Sequence, residues 1–211
     1  MVIPSNCLLA KMEEYINNLK TLPQHGYTDK IINLLGEGRY GYAWRMEGNK
    51  VVKITTDWTE FNTALFLKGK ETLYLVRIFD CWEAQNKQYV IIEELLYNDT
   101  PNIDAQMKTL FVDQFKLCWF EHNKRLGGRV FNYYSDVLMK YCKEQNISVI
   151  EDVHQIFKKW KYWNYYYDMM FKSTCAAIHE LHTISPQAML DINEDNIMFT
   201  NDEQMKFIDM H

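Results

Sequence analysis

Three side chains with oxygen atoms lie near the end of the chain, at a spacing that would allow them to bind a cation and to accept a proton. Asn196 stands five positions after Asp191, and Asp209 stands thirteen positions after Asn196. Amide and carboxylate oxygens are the ligands that a hard cation such as Mg²⁺ prefers, and a carboxylate can also accept a proton from a hydroxyl. The alternatives are an Asn/Asp turn over 191–196 and a solvated strand end at Asp209. Because both spacings occur together, we favour the chemical interpretation.

A second set of residues, far upstream in the sequence, is suited to binding phosphate. Gly36, Gly38 and Gly41 follow the apolar stretch Ile31–Leu35, and glycine lets backbone amides approach phosphate oxygens closely. The glycines alone also fit an ordinary hairpin. The next segment, Tyr42–Met46, has a strand pattern, whereas a dinucleotide-binding loop opens a helix. The pattern therefore favours a phosphate loop between antiparallel strands.

Lys53 stands among apolar neighbours on the following strand pattern, where its ammonium could neutralise phosphate charge. The alternative is an exposed strand lysine. Such a lysine needs an acidic partner, and Glu60 is the first candidate, early in the helix predicted after Asp57; Glu71 is the second. Glu60 could also simply favour the N-terminus of that helix electrostatically.

The secondary structure predicted to position these residues changes along the chain from a helix to strands. An amphipathic helix is predicted over 6–20. Strands are then predicted at Ile31–Leu35, Tyr42–Met46, Lys50–Thr55, Leu73–Trp82 and Gln88–Leu96, with a Gly48-Asn49 turn and a helix from Asp57 to Leu67. That order predicts a small antiparallel sheet with one helix.

Helical patterns dominate from about residue 103. The predicted helices are Asp104–Arg125, Phe131–Glu144 and Val149–His182, with Gly127-Gly128 as a break. The last is long enough that we expect it to bend or divide. Two short strands, Ile197–Thr200 and Met205–Ile208, close the pattern around an Asn201-Asp202 turn. The fold class predicted from the whole chain is α+β.

The amino-acid composition excludes some classes of protein and some kinds of partner. The chain has 211 residues, 47% of them hydrophobic, and a net charge of −5, which excludes a disordered chain and argues against a nucleic-acid partner. The five cysteines are odd in number and scattered, as expected of buried thiols in a reducing compartment. With no secretory pattern and no apolar run near the ~20 residues of a bilayer span, we expect a cytoplasmic protein without a membrane partner.

Four segments together resemble the protein kinase-like superfamily: Leu181-His182, Leu190–Met198, Phe207–His211, and Val90–Leu95. The resemblance implies a bilobal fold. Its N-lobe, a small antiparallel sheet with one helix, would span 31–97 after an N-terminal helical extension at 1–30. A reduced, mainly helical C-lobe would span 98–211. Because the sequence ends two residues after Asp209, it resembles the minimal kinases of bacterial effectors and bacteriophage.

The resemblance also implies roles for individual residues, with ATP and Mg²⁺ as cofactors. Asp191 would orient the substrate hydroxyl and accept its proton, while Asn196 and Asp209 would hold Mg²⁺. Lys53, fixed by Glu60, would hold the α- and β-phosphates. The phosphates would be covered by Gly36, Gly38 and Gly41, and the adenine edge would be read by backbone groups of Glu93 and Leu95, with Ile92 as gatekeeper.

At several positions the sequence departs from the family pattern, and these departures leave more than one class of molecule as the phosphoryl acceptor. Met189 replaces the usual His, Asn193 replaces the lysine of Ser/Thr kinases, and Met210-His211 replaces Phe-Gly. We expect a minimal protein kinase that phosphorylates a protein hydroxyl, on a host protein in the host cytoplasm if the chain is an effector or phage product. The alternatives are a small-molecule kinase similar to aminoglycoside or choline kinases, favoured by Asn193, and a nucleotide-binding pseudokinase that acts as an interaction module.

Three further patterns favour structural explanations. The two histidines of His179-Glu180-x-His182 are three residues apart, whereas the zinc helix needs four. The aromatic cluster Trp160–Phe171 lacks an accompanying basic stripe, so we expect core or partner packing rather than base stacking. Lys158, Lys159 and Lys161 are expected on a solvated helix face.

Overall fold

The computed structural model describes Glu13, residues 15–125 and residues 147–210. Within them the chain divides into two compact units: unit 1 runs to Glu71 and resumes over Arg77–Leu95, and unit 2 comprises Thr72–Val76 and the residues from Leu96 onward. The predicted helix Phe131–Glu144, the Gly127-Gly128 break, most of the predicted helix 6–20 and His211 lie outside the described residues. The domain boundaries expected at 30/31 and 97/98 remain predictions.

Unit 1 is built on a five-stranded antiparallel sheet. Its strands are β1 (Ile31–Glu37), β2 (Gly41–Met46), β3 (Lys50–Thr55), β4 (Ile78–Glu83) and β5 (Tyr89–Glu94), in the order β1-β2-β3-β5-β4. Between β2 and β3, Gly48 and Asn49 both adopt positive φ, as a tight hairpin turn requires. With the helices below, this sheet confirms the predicted α+β class.

One core cluster of unit 1 lies on one face of this sheet. Alternate residues of the three central strands are fully buried there, among them Val52, Ile54 and Val90. The same cluster includes Tyr15 and Leu22 from the segment before the sheet. The N-terminal residues therefore contribute core side chains to the sheet that carries the glycines and Lys53.

The helix predicted after Asp57 is confirmed as α1 (Trp58–Leu67). Asp57 caps it, since its Oδ1 accepts hydrogen bonds from Thr59 N at 2.8 Å and Glu60 N at 3.3 Å. These bonds satisfy amides that have no partner inside the helix. The cap therefore sets the start of α1 and with it the position of Glu60 in the first turn.

The strand predicted over Leu73–Trp82 is wrong in its first part, because β4 begins only at Ile78. The preceding residues belong to unit 2. The Glu180 carboxylate accepts from Leu73 N and Tyr74 N at 2.8 Å each, and Val76 N donates to Phe207 O at 2.8 Å. Leu75 forms an isolated bridge with Phe207, so the partners of this apolar run lie more than a hundred residues away. The Glu180 contact also gives the His179-Glu180-x-His182 pattern a structural role.

Unit 2 contains the helices α2 (Ala105–Arg125), α3 (Ile147–Phe157) and α4 (Tyr165–Ile184) and the hairpin β6 (Ile197–Phe199) and β7 (Met205–Phe207). The helix Asp104–Arg125 is confirmed to within one residue. The long helical pattern Val149–His182 divides, as expected, into α3 and α4. Asn164 starts α4 by accepting from Tyr167 N at 3.1 Å.

No helix among the described residues combines the length and the apolar character needed to cross a bilayer.

Gly41 is required by the packing of β2 against β3. A Cβ at this position would lie 2.0 Å from Ile54 O and 2.8 Å from Thr55 Cα. We expect Gly41→Ala to lower the free energy of unfolding by about 3 kcal/mol or more, because backbone atoms must move apart. Chemical denaturation measures this change.

The matched control is Gly36→Ala in β1, where an added Cβ meets nothing within 4 Å. Its free energy of unfolding should change by less than about 1 kcal/mol. Equal effects of the two substitutions would contradict the packing explanation.

Two buried thiols predict loss of stability in alkaline solution. Burial raises the pKa of Cys81 and of Cys118 from 9.0 to about 11. Above pH 9 the unfolded chain therefore loses protons that the folded chain keeps, and the free energy of unfolding falls as the pH rises toward 11.

The measurement is urea denaturation under reducing conditions at pH 7, 9 and 10.5. The double variant Cys81→Ala/Cys118→Ala should show a shallower decline than the parent chain, even if it is less stable at pH 7. Parallel declines would assign the alkaline transition to other groups.

Candidate functional site

The β6–β7 hairpin brings the ends of two predicted site segments together. Ile197 pairs with Phe207, and Ile208 N donates to Asn196 O at 3.0 Å. Asn196 immediately precedes β6 and Asp209 follows β7 by two residues. Both therefore lie at the same end of the hairpin.

The loop from Asp191 to Asn196 is held by the side chain of Asn193. Its Oδ1 accepts from Asp195 N and Asn196 N at 3.0 Å each, and its Nδ2 donates to Asp191 Oδ2 at 2.7 Å. The sequence presented Asn193 only as a replacement for a lysine. In the structure it forms an Asx-type cap that fixes the loop.

Asn196 binds the same carboxylate from the other end of the loop. Its Nδ2 donates to Asp191 Oδ2 and to Asp191 O, both at 3.1 Å, and the residue is 5% exposed. Since the amide nitrogen is used in this way, the amide oxygen is the atom that could bind a cation. Both side-chain amides contact Oδ2 of Asp191, so Oδ1 takes neither of these bonds.

Asp209 adopts an uncommon backbone conformation, with φ at 53°. Residues other than glycine pay a cost in this region, least for Asn and Asp, and such outliers cluster at functional sites. The next residue, Met210, is buried and forms a bridge with Leu190. Met210 therefore occupies a buried position directly after Asp209.

The predicted metal residues differ from the clustered type of metal site. Among the described residues there is no group of three or more His, Cys, Asp or Glu side chains arranged to hold a metal ion. The predicted pair has one amide and one carboxylate, Asn196 and Asp209. A sparse set of oxygen ligands suits Mg²⁺, which keeps several waters and binds phosphate oxygens.

The ion pair predicted between Lys53 and Glu60 is present in unit 1, with Lys53 Nζ 2.5 Å from Glu60 Oε1. Lys53 lies on β3 between Ala43 of β2 and Ile91 of β5, and both charged groups are mostly buried. The second candidate partner, Glu71, pairs instead with Arg77 at 3.6 Å.

The three glycines are not equivalent. Gly38 N donates to Gly41 O at 2.9 Å and closes the turn between β1 and β2. Gly41 is explained by close packing against β3. Gly36 and Gly38 have neither a positive φ nor a close neighbour that a Cβ would strike.

The residues predicted to read adenine are placed at the end of β5. Glu93 pairs with Val51 and Ile78 inside the sheet, and Leu95 N donates to Asn49 O at 3.0 Å. An adenine edge at Leu95 would have to use its carbonyl or displace this bond. The expected gatekeeper, Ile92, lies on the sheet face opposite Lys53, because Lys53 pairs directly with Ile91 and side chains alternate.

Lys108 of α2 is a site-supporting residue that sequence reasoning missed. It is 1% exposed, and its Nζ donates to Ile197 O at 3.1 Å and to Asn98 Oδ1 at 2.5 Å. Burial lowers the pKa of its ammonium group. A signal existed: Lys108 falls on the same helical stripe as Phe111, Val112 and Phe115, which are buried.

The predicted site residues are thus divided between the two units. One set, in unit 1, is Gly36, Gly38, Gly41, Lys53, Glu60, Glu93 and Leu95. The other, in unit 2, is Asp191, Asn196 and Asp209.

No protein-family model matches the chain, and no curated protein matches it.

The cap formed by Asn193 predicts a local loss of stability on truncation. Asn193→Ala removes an acceptor for two backbone amides and a donor to Asp191, and should lower the free energy of unfolding by about 0.5–2 kcal/mol. Chemical denaturation measures the change.

Asn201→Ala, in the exposed turn between β6 and β7, is the control and should change stability by less than about 0.5 kcal/mol. If the two variants are equally stable, the loop does not depend on the Asn193 amide.

Proposed function

We propose that this chain is an ATP-dependent phosphotransferase of the protein kinase-like superfamily, with units 1 and 2 acting as its two lobes. The reaction is transfer of the γ-phosphoryl group of Mg-ATP to a hydroxyl group, first of all on a protein. One observation carries the proposal: the hairpin end where Asn196 and Asp209 lie together and where Asn196 also orients Asp191.

Asp191 is the residue that orients the acceptor hydroxyl and takes its proton. Two amides on Oδ2 hold the carboxylate in one orientation, and the residue is half-buried. A carboxylate fixed in this way needs little reorganisation when the hydroxyl approaches. The proton passes to it late in the transfer, when the hydroxyl oxygen becomes acidic.

The donor atoms at the hairpin end fit Mg²⁺. The Asn196 amide nitrogen is bound to Asp191, so its oxygen is the potential ligand, and the Asp209 carboxylate supplies charge. The positive φ of Asp209 is the strain expected where a side chain is held for function. Mg²⁺ bound there would supply neutralisation of phosphate charge.

The features of unit 1 fit the polyphosphate of a nucleotide. Glu60 holds the Lys53 ammonium in a defined position, which favours electrostatic stabilisation of phosphate oxygens. Packing and backbone conformation do not account for glycine at Gly36 and Gly38. Close approach of phosphate to the backbone at these two positions would account for it, with the Gly38 amide also donating to Gly41 O.

A small-molecule kinase is the second candidate, and the bonds of Asn193 favour it. In Ser/Thr kinases this position carries a lysine that contacts the γ-phosphate. Here both ends of the Asn193 amide are used inside the loop, so the side chain is engaged in holding Asp191. Our first choice remains a minimal protein kinase of effector or phage type that acts in the host cytoplasm.

Asp209→Asn tests the proposed chemistry with little change to the backbone, because Asn also tolerates positive φ. We expect the rate of phosphoryl transfer from labelled ATP to fall at least about 100-fold. The matched control is Asp202→Asn in the exposed turn of the same hairpin, which removes the same charge and should leave the rate unchanged.

The acceptor is identified by offering whole-cell lysate, a panel of hydroxyl-bearing small molecules, and the protein alone. Label in protein bands that Asp209→Asn abolishes supports the first choice. Label confined to small molecules supports the second candidate. Nucleotide binding without transfer to any acceptor would identify a pseudokinase and overturn both.

A further inference from the structure

The turn between α3 and α4 presents three lysines and three exposed aromatic side chains within eight residues. The lysines Lys158, Lys159 and Lys161 are all exposed. Tyr162, Trp163 and Tyr165 are 52%, 42% and 73% exposed. Of the two alternatives predicted for this aromatic region, packing in the core does not hold for these three rings and packing against a partner stays a prediction, while Tyr167 and Phe171 of α4 are buried.

The turn is held in a defined conformation. Trp160 packs edge-on against Tyr167, with ring centroids 4.6 Å apart, and Trp163 N donates to Trp160 O at 3.0 Å. Asn164 then caps α4. Because the backbone on both sides is fixed, Trp163 and Tyr165 are presented to solvent by the fold itself. Clustered exposed aromatics of this kind mark interaction surfaces.

The charge of this turn has the opposite sign to that of the whole chain. No Asp or Glu occurs from Lys158 to Tyr167, whereas the chain as a whole carries −5. The next acid, Asp168, is already bound by Lys172 at 2.7 Å and by His154 at 2.5 Å. The turn is therefore a local cationic patch, and its partner should be anionic.

We propose that the patch of Lys158, Lys159, Lys161, Tyr162, Trp163 and Tyr165 binds the surface of an anionic phospholipid bilayer. Trp and Tyr rings prefer the headgroup level of a bilayer, where one end is apolar and the other is wet. Lysines near an anionic leaflet each add roughly 1 kcal/mol. Three of them should strengthen binding about 100-fold relative to a neutral bilayer.

Two observations favour a bilayer over a nucleic acid. The patch contains lysine and no arginine, whereas arginine is the side chain best suited to bidentate phosphate recognition. The Lys161 ammonium also lies 4.5 Å from the centroid of the Tyr162 ring, so one face of that ring is not open for base stacking.

This inference concerns binding at a membrane surface and requires no spanning helix. It revises the expectation of a chain without a membrane partner. It does not depend on the proposed phosphotransferase activity, since α3, α4 and their turn carry none of the residues assigned to the reaction. Membrane binding and phosphoryl transfer can therefore fail or succeed separately.

The test is flotation of the full chain with vesicles of phosphatidylcholine alone and of phosphatidylcholine with phosphatidylserine, at about 0.1 M salt. We expect about 100-fold stronger binding to the anionic vesicles. The triple variant Lys158→Gln/Lys159→Gln/Lys161→Gln should lose this preference. Its matched control, Lys30→Gln/Lys70→Gln/Lys87→Gln, changes the net charge equally at exposed lysines of unit 1 and should keep it.

The aromatic contribution is tested by Trp163→Ala/Tyr165→Ala, which should weaken binding to anionic vesicles at least tenfold. Thermal unfolding followed by circular dichroism shows whether this variant is folded. If it is not, the comparison of the two triple lysine variants decides the question. Equal affinity for both vesicle types, or equal losses in the two triple variants, would overturn the proposal. Single-stranded oligonucleotide binding that depends on the patch lysines, or full competition by soluble glycerophosphoserine, would do so as well.

Discussion

The backbone of the β6–β7 hairpin is the framework on which the predicted catalytic residues of unit 2 depend. Each strand has only three residues, and an isolated hairpin of this size would not be stable in water. Flanking segments supply the missing bonds: Tyr97 exchanges two 2.8 Å hydrogen bonds with Phe199 on one side, and Tyr74 and Val76 bond to Phe207 on the other. The positions of Asn196 and Asp209 are therefore set by a small sheet assembled from distant parts of the chain.

Two buried lysines donate hydrogen bonds to backbone carbonyls in and around this hairpin. Lys108 Nζ donates to Ile197 O at 3.1 Å, and Lys206 Nζ donates to Thr72 O at 3.2 Å. Burying an ammonium group is costly unless it is hydrogen-bonded, so each lysine both needs these acceptors and fixes them. Two buried ammonium groups therefore fix backbone carbonyls at β6 and at the segment before β4.

Local signals made much of the fold predictable. The Gly48-Asn49 turn, the Asp57 cap and the Asn201-Asp202 turn all act through adjacent residues, and each gave an element boundary close to the observed one. The pairing of Lys53 with Glu60 was predictable for the same reason, because the Asp57 cap, four residues after the lysine, fixes the helix register that places Glu60 three residues later.

What could not be predicted depended on contacts between distant residues. The run Leu73–Val76 has a strand pattern, but nothing near it reveals that Glu180 and Phe207 are its partners. Asn193 was visible only as a replaced lysine, since its value as a cap depends on the geometry of the loop it closes. The sheet face of Ile92 could not be predicted, because register, unlike the existence of a strand, is fixed by pairing with β3.

The assignment of Thr72–Val76 to unit 2 has a consequence for biosynthesis. Leu73 N is bound by a carboxylate 107 positions later in the chain, so a ribosome releases this segment long before its partners exist. Until then its amides are solvated and its apolar side chains are open to chaperones. The sheet of unit 1 can form early in translation, whereas the segment Thr72–Val76 can pair only after Glu180 and the β7 strand have left the ribosome.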